Sequence, residues 1–379
     1  LSASRLSRTR HPRWRANATA CIIGIAVTGC ESVLGIDFDA VEQAPNACHH
    51  ASPNPPPAVQ NAGGDIEFTA VVIDAQYGDG VDANGKANFL SQGYDLDGLC
   101  TGPNGPASCT PPAWVGYPET DGTDGRDNGV GRMFSAQNAL FGLTLVSSDY
   151  LSPLVNSGEH APNGIIRVRG YNGFHEDDQV EVDWFVALAP AAQGDGSFAP
   201  KFDGSDVWPL DADTLDGTTD DGAPRSLYRD TAAYVSAYQL VAHFPRVQIP
   251  LANIYFEAHD VILTSQITET ATTATMLKNG ILAGTIPMAT FLDVIPLTAA
   301  AITGQTSLCR DSPLYPDIKH FICVADDSPL DRPSGGECDA GSFGIAFATA
   351  PVVLGSSGPP PVPENPCEDP PDTCSAPAR

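Results

Sequence analysis

The chain has 379 residues, with 46 acidic side chains against 19 basic ones and a formal net charge of −27 at pH 7. A surface this acidic repels phosphate backbones, so nucleic acid is not an expected partner, and charge gives it no hold on anionic lipid head groups. Its field draws divalent cations and basic partners, or simply keeps an exported protein in solution.

The N-terminus sets the expected compartment. Arg5, Arg8, Arg10, Arg13 and Arg15 form a basic leader without an acidic residue, and an apolar run follows from Ala18 to Val27. That run is too short to span a bilayer but suits the apolar region of a signal peptide. It ends in Val27-Thr28-Gly29-Cys30. This resembles the lipobox of bacterial lipoprotein precursors. The resemblance implies that residues 1–29 are removed and that Cys30 becomes the acylated first residue, partnered by the lipid bilayer. Several acyl chains make such attachment permanent, at about 0.8 kcal/mol per buried methylene. No adjacent arginine pair points to the twin-arginine route. Glu31 and Ser32 after the cysteine favour the outer membrane. Removal of the leader takes away five arginines, leaving 14 basic residues against 46 acidic ones and a charge of −32.

Eight further cysteines remain once Cys21 and Cys30 are set aside: Cys48, Cys100, Cys109, Cys309, Cys323, Cys338, Cys367 and Cys374. An even set in an oxidising compartment predicts disulfides, with about 105 connectivities open. A local Cys100–Cys109 pair is favoured by the glycines and prolines between them, and Cys367–Cys374 comes next. Cys309, Cys323 and Cys338 are expected close together.

Pro- and Gly-rich residues 30–64 read as an extended tether and residues 356–379 as a disordered tail, leaving a globular domain at 65–355. Within it, strands are expected at 65–75, 164–170, 179–188, 234–244, 253–268, 274–286 and 342–353. The third alternates Val180, Val182, Trp184 and Val186 against Glu181, Asp183 and Phe185. Helices are expected at 148–156 and 317–324, and the apolar stretch 281–302 reads as a strand end followed by a buried helix. Turns rich in Gly, Asn and Asp between strands suggest a mainly β protein, an antiparallel β-sandwich of jelly-roll type with short helical insertions.

Acidic loops are the most distinctive chemistry. Asp95 and Asp97 precede Cys100; Asp121, Asp124 and Asp127 alternate with glycines; Asp211, Asp213 and Asp216 form a third group. Calcium takes six to eight oxygens, and closely spaced carboxylates on glycine-bent loops can supply several. They loosely resemble the Asp-rich calcium loops of extracellular adhesive modules, though the helix-loop-helix calcium template is not met. The plainer alternative is solvated turn residues. Trp114 and Trp208 adjoin acidic loops and are the candidates for stacking on a glycan, against packing roles. His175-Glu176-Asp177-Asp178 reads as a polar hairpin turn. No zinc-protease or nucleophile-elbow signature occurs.

The resulting expectation is an envelope lipoprotein with a non-catalytic binding or structural role, its loops organised by calcium and its ligand a glycan or protein. The alternatives are a glycan-binding jelly-roll module and an extracellular hydrolase. No enzyme activity is expected.

Overall fold

The computed structural model describes residues 50–59, 62–102, 105–116, 120–141, 148, 163–189, 200–219, 222–251, 254–269, 275–294, 308–330, 335–360, 367 and 371–377. They belong to the compact unit Phe38–Arg379; the second unit, Leu1–Asp37, and with it the lipobox, lies outside the described residues.

Twelve strands are described: β1 (Ile66–Gln76), β2 (Asn163–Tyr171), β3 (Glu176–Ala187), β4 (Val207–Asp211), β5 (Leu215–Thr218), β6 (Pro224–Ser226), β7 (Tyr228–Ser236), β8 (Gln239–Leu251), β9 (Ile254–Glu269), β10 (Thr275–Pro287), β11 (Ala340–Pro351) and β12 (Val353–Gly358). The main sheet runs β12-β4-β3-β2-β1-β11-β10-β9-β8-β7, and β7 also pairs with β3. That last pairing closes eight antiparallel strands into a barrel. Around it, β1-β2-β3-β7-β8-β9-β10-β11 are neighbours in chain order.

The protein is therefore mainly β and antiparallel, as expected, but the expected jelly-roll sandwich is corrected to a closed barrel. A jelly roll needs Greek-key crossings between two sheets, whereas these strands meander up and down. Alternation along a strand looks the same in both, because either fold has one buried face.

Curvature enters through bulges. Asp74, Asp260 and Asn279 have positive φ, and each lies where the ladder shifts register. Short polar Asp and Asn tolerate this left-handed conformation best after glycine, so they mark where a strand bends.

Two apolar layers result. Inside the barrel lie Ile166, Val168, Val180, Val182, Trp184, Leu240, Phe244, Phe256, Leu263, Leu277 and Phe343. The expected alternation of β3 holds: Val180, Val182 and Trp184 point inward, and Phe185 belongs to the opposite face. On the outer wall, Val71, Ile165, Phe185, Ala187, Ala350 and Val352 are covered by Trp208 and Leu210 of β4. The same wall buries an ion pair between cross-strand partners, Arg167 Nη2 to Asp183 Oδ2 at 2.8 Å, with the guanidinium 5.2 Å from the Phe185 ring centre.

Helix α1 (Gly129–Phe141) was not expected, whereas α2 (Tyr315–Cys323) falls near the expected helix at 317–324. Residues 281–302 divide as expected into the end of β10 and a helical stretch at 288–294, the rest lying outside the described residues. So does the expected helix at 148–156, apart from Ser148. The expected strand 234–244 is corrected to a hairpin, β7 and β8 joined by Ala237 and Tyr238, both at positive φ. Among the described residues, no helix is long and apolar enough to cross a membrane.

Parts of both expected appendages are hydrogen-bonded to the rest of the domain. His50 N donates to Asp124 O and His50 O accepts from Asp95 N, both at 3.0 Å. Tyr234 of β7 donates to Pro53 O, and Gly63 N donates to Asp177 Oδ1 at 2.8 Å. At the other end, Asp372 accepts from Tyr315 Oη at 2.8 Å and Lys319 Nζ at 2.9 Å.

The disulfides join distant segments: Cys109–Cys338, Cys309–Cys367 and Cys323–Cys374. Cys100 is also disulfide-bonded. The expected local pairs Cys100–Cys109 and Cys367–Cys374 are thus corrected. Each bond ties a loop or terminal segment to another element, a choice that loop length along the chain does not reveal. Cys48 lies outside the described residues.

Candidate functional site

The long connection from β1 to α1 carries two of the three acidic loops and folds them onto each other. Asp127 N donates to Tyr94 O at 2.9 Å, and Leu96 N donates to Asp127 Oδ2 at 2.6 Å. Two Asx turns shape the 95–99 loop: Gly98 N donates to Asp95 Oδ1 and Leu99 N to Asp97 Oδ1, both at 2.7 Å. Thr101 N reaches Asp121 Oδ2 at 2.6 Å.

The outcome is a convergence of carboxylates. Asp95, Asp97 and Asp127 each place an oxygen within 4.8 Å of the others. Asp121 adjoins them, close enough for its charge to act on Asp127. Asp327, on the chain between α2 and β11, joins from 200 or more residues away in sequence. Its oxygens accept from Ser342 N at 2.7 Å and Ser342 Oγ at 2.8 Å. Gly129 opens α1 beside it, and a Cβ there would sit 2.2 Å from Asp327 Oδ2, so only glycine admits this approach.

These carboxylates repel one another in a poorly solvated place. Burial, then the charges of Asp97, Asp121 and Asp327, pushes Asp127 well above the usual carboxylate range. Burial likewise raises Asp121, with Asp97 and Asp327 adding to it. Asp327 is pushed up to about 6 by burial, against the pull of Arg132. The Arg132 guanidinium is itself engaged with Thr120 O at 3.3 Å and Val324 O at 3.1 Å. One arginine against this many carboxylates leaves the site in need of positive charge, supplied by protons or by a cation.

Other expected residues are placed elsewhere. Asp124 pairs with Arg126 at 3.1 Å. Asp211 accepts from Asp213 N at 2.8 Å, capping a 3-10 turn, and Asp216 pairs with Arg225 at 2.9 Å. Among the described residues this third loop contributes no converging set. Trp208 is completely buried and offers no face to a sugar. Trp114 spends its indole N–H on Cys374 O at 2.8 Å, with Lys319 and His320 packed against its ring. Asp177 of the polar turn is fully buried and collects N–H bonds from Gly63, Asn172 and Gln179.

Arg132, Asp326 and Asp327 escape a reading of the sequence. The adjacent Asp326-Asp327 pair is the only local signal, and its relevance depends on a contact that the fold creates. Comparisons with protein-family models, curated proteins and solved structures give no match.

Proposed function

We propose that this chain is an exported, lipid-anchored envelope protein with a non-catalytic binding or structural role, whose loops above the barrel are organised by calcium. The observation that carries the calcium assignment is the approach of Asp95, Asp97 and Asp127 to within 4.8 Å. All-oxygen ligands with no histidine or free thiol suit a hard divalent cation, and calcium accepts the irregular geometry of such loops. An ion there would neutralise the mutual repulsion of Asp121 and Asp127 and fix the two loops together.

Export and anchoring rest on the resemblance of Val27-Thr28-Gly29-Cys30 to a lipobox, with Cys30 as the lipidated residue; the disulfides are in keeping with an oxidising compartment. The outer membrane is the proposed location. Calorimetric titration of chelator-treated protein with calcium tests the metal assignment. Loss of an ion from this site in Asp127→Asn is expected; absence of calcium binding to the native chain discards it.

A further inference from the structure

Residues 50–59 are seated on the domain in a pattern of their own. His50, Pro53, Pro56 and Val59 are half-buried, whereas Ala51, Asn54, Pro55, Pro57 and Ala58 are exposed; only Ser52 departs from the interval of three, half-buried beside Pro53. The segment forms neither helix nor strand. A period of three is that of the left-handed polyproline II helix, which proline-rich chain favours and which makes no hydrogen bonds within itself. One edge of that helix therefore faces the protein and the rest faces water.

The inward edge meets a surface that fits it. The His50 ring stacks on Tyr94, with 5.4 Å between ring centres and 5° between planes. Tyr94 is itself fixed by a 2.7 Å hydrogen bond between its hydroxyl and Thr264 Oγ1 of β9. Pro53 O accepts from the hydroxyl of Tyr234 on β7. Ala233 and Val235 on either side of that tyrosine face the barrel interior, so its ring stands on the outer wall. Val59 N donates to Asp178 Oδ2 of β3 at 3.4 Å. β9, β8, β7 and β3 are neighbours in that order, so these contacts cross the strands instead of extending the sheet. Aromatic rings meeting a stiff, preformed proline-rich helix are how such segments are recognised between proteins, because little entropy is lost on docking.

We propose that the face built on Tyr94 and Tyr234 is a docking surface for proline-rich polyproline II segments, filled by the chain's own residues 50–59 and open by exchange to such a segment of another protein. The seated segment carries no Asp, Glu, Lys or Arg, so shape and carbonyl acceptors identify the partner rather than charge. The strap is a competitor held at an effective concentration of about millimolar, which an incoming ligand has to displace. Neither the metal nor the lipid anchor enters the argument.

A fluorescent peptide of residues 50–59 is the probe, read by anisotropy. A full chain carrying Pro53→Gly and Pro56→Gly has a loosened strap and is expected to bind the peptide about tenfold more tightly than the native chain. Adding Tyr234→Phe to that variant keeps the ring, removes the donor and is expected to weaken binding by about three- to tenfold. A peptide carrying the same two glycines is expected not to bind. In the native chain, excess peptide should speed hydrogen exchange at the His50 and Val59 amides as the strap is displaced. No binding to the loosened chain, or equal binding of the glycine-substituted peptide, overturns the proposal. A native dimer that the peptide splits into monomers would assign the face to strap exchange between two copies, and overturns the foreign partner.

Discussion

The side-chain amide of Asn128 brackets the peptide of Gly344: Oδ1 accepts from Gly344 N at 3.0 Å and Nδ2 donates to Gly344 O at 3.2 Å. β1 leaves its pairing with β11 at Gln76, opposite Ala346, so on that side the edge of β11 before that point has no strand beside it among the described residues. Asn128 takes the place of a strand there. The same Oδ1 accepts from Gly131 N at 2.9 Å, which caps the start of α1. Asn128→Ala would remove the cap and leave a buried peptide unmet, a loss of about 3 kcal/mol. Urea unfolding would read it as a lower midpoint at unchanged slope.

Acidity should affect the metal-free protein in an unusual direction. Asp326 and Asp327 have folded-state values of about 8 and about 6, above the usual 3.8. Groups raised in the folded state favour folding fully below their unfolded value and lose that contribution as pH climbs through the folded one. In chelator, the melting temperature should therefore fall between pH 4 and pH 8. Burial raises Asp121 and Asp127 in the same direction, and saturating calcium beside them should flatten their share of the decline, since the ion replaces their protons. A pH series with and without calcium measures both slopes.

Asp127→Asn should have opposite effects in the two conditions. Without metal it removes one of several repelling charges, so the variant should melt above the native protein. With calcium it lacks a ligand, so the native protein should gain more stability than the variant. Differential scanning calorimetry in the two buffers reads this as a change of sign.

The ion pair on the outer wall makes a separate prediction. Asp183→Asn leaves the buried Arg167 guanidinium without a counter-charge, which costs about 3–5 kcal/mol. Replacing both residues together with apolar side chains should cost much less, because no unpaired charge remains. Chemical denaturation of the single and double variants measures the difference.

Cys374→Ser opens a cross-link to Cys323 that spans 51 residues. The chain-entropy model puts the loss at about 4 kcal/mol. It also frees the carbonyl that Trp114 bonds, so tryptophan emission should move to longer wavelength as that ring gains water.

What the sequence reveals and conceals here follows from the range of each interaction. β3 is legible because Val180, Val182 and Trp184 alternate with charged neighbours over a single strand. The β7–β8 turn is hidden because Ala237 and Tyr238 stand where Asn-Gly would announce it. α1 is hidden because Gly129 and Gly131 weaken its start, although Asn128 at the cap was the available signal. Asp95, Asp97 and Asp127 were legible as carboxylates on glycine-bent loops, but Asp327 joins them only through the folding of β11. Trp208 misled for a related reason: acidic neighbours in the chain suggest exposure, yet β4 lays that ring on the barrel wall.

The contacts of residues 50–59 and 62–64 decide where mechanical load would enter the domain. A pull on the chain upstream of residue 50 meets first the His50 bonds to Asp95 and Asp124, beside the carboxylate loops, rather than the end of β1. Only after the contacts at Pro53 and Gly63 have been peeled in turn would tension arrive at Ile66. The segment would work as a strain relief, shielding the barrel's first staves from tension applied upstream.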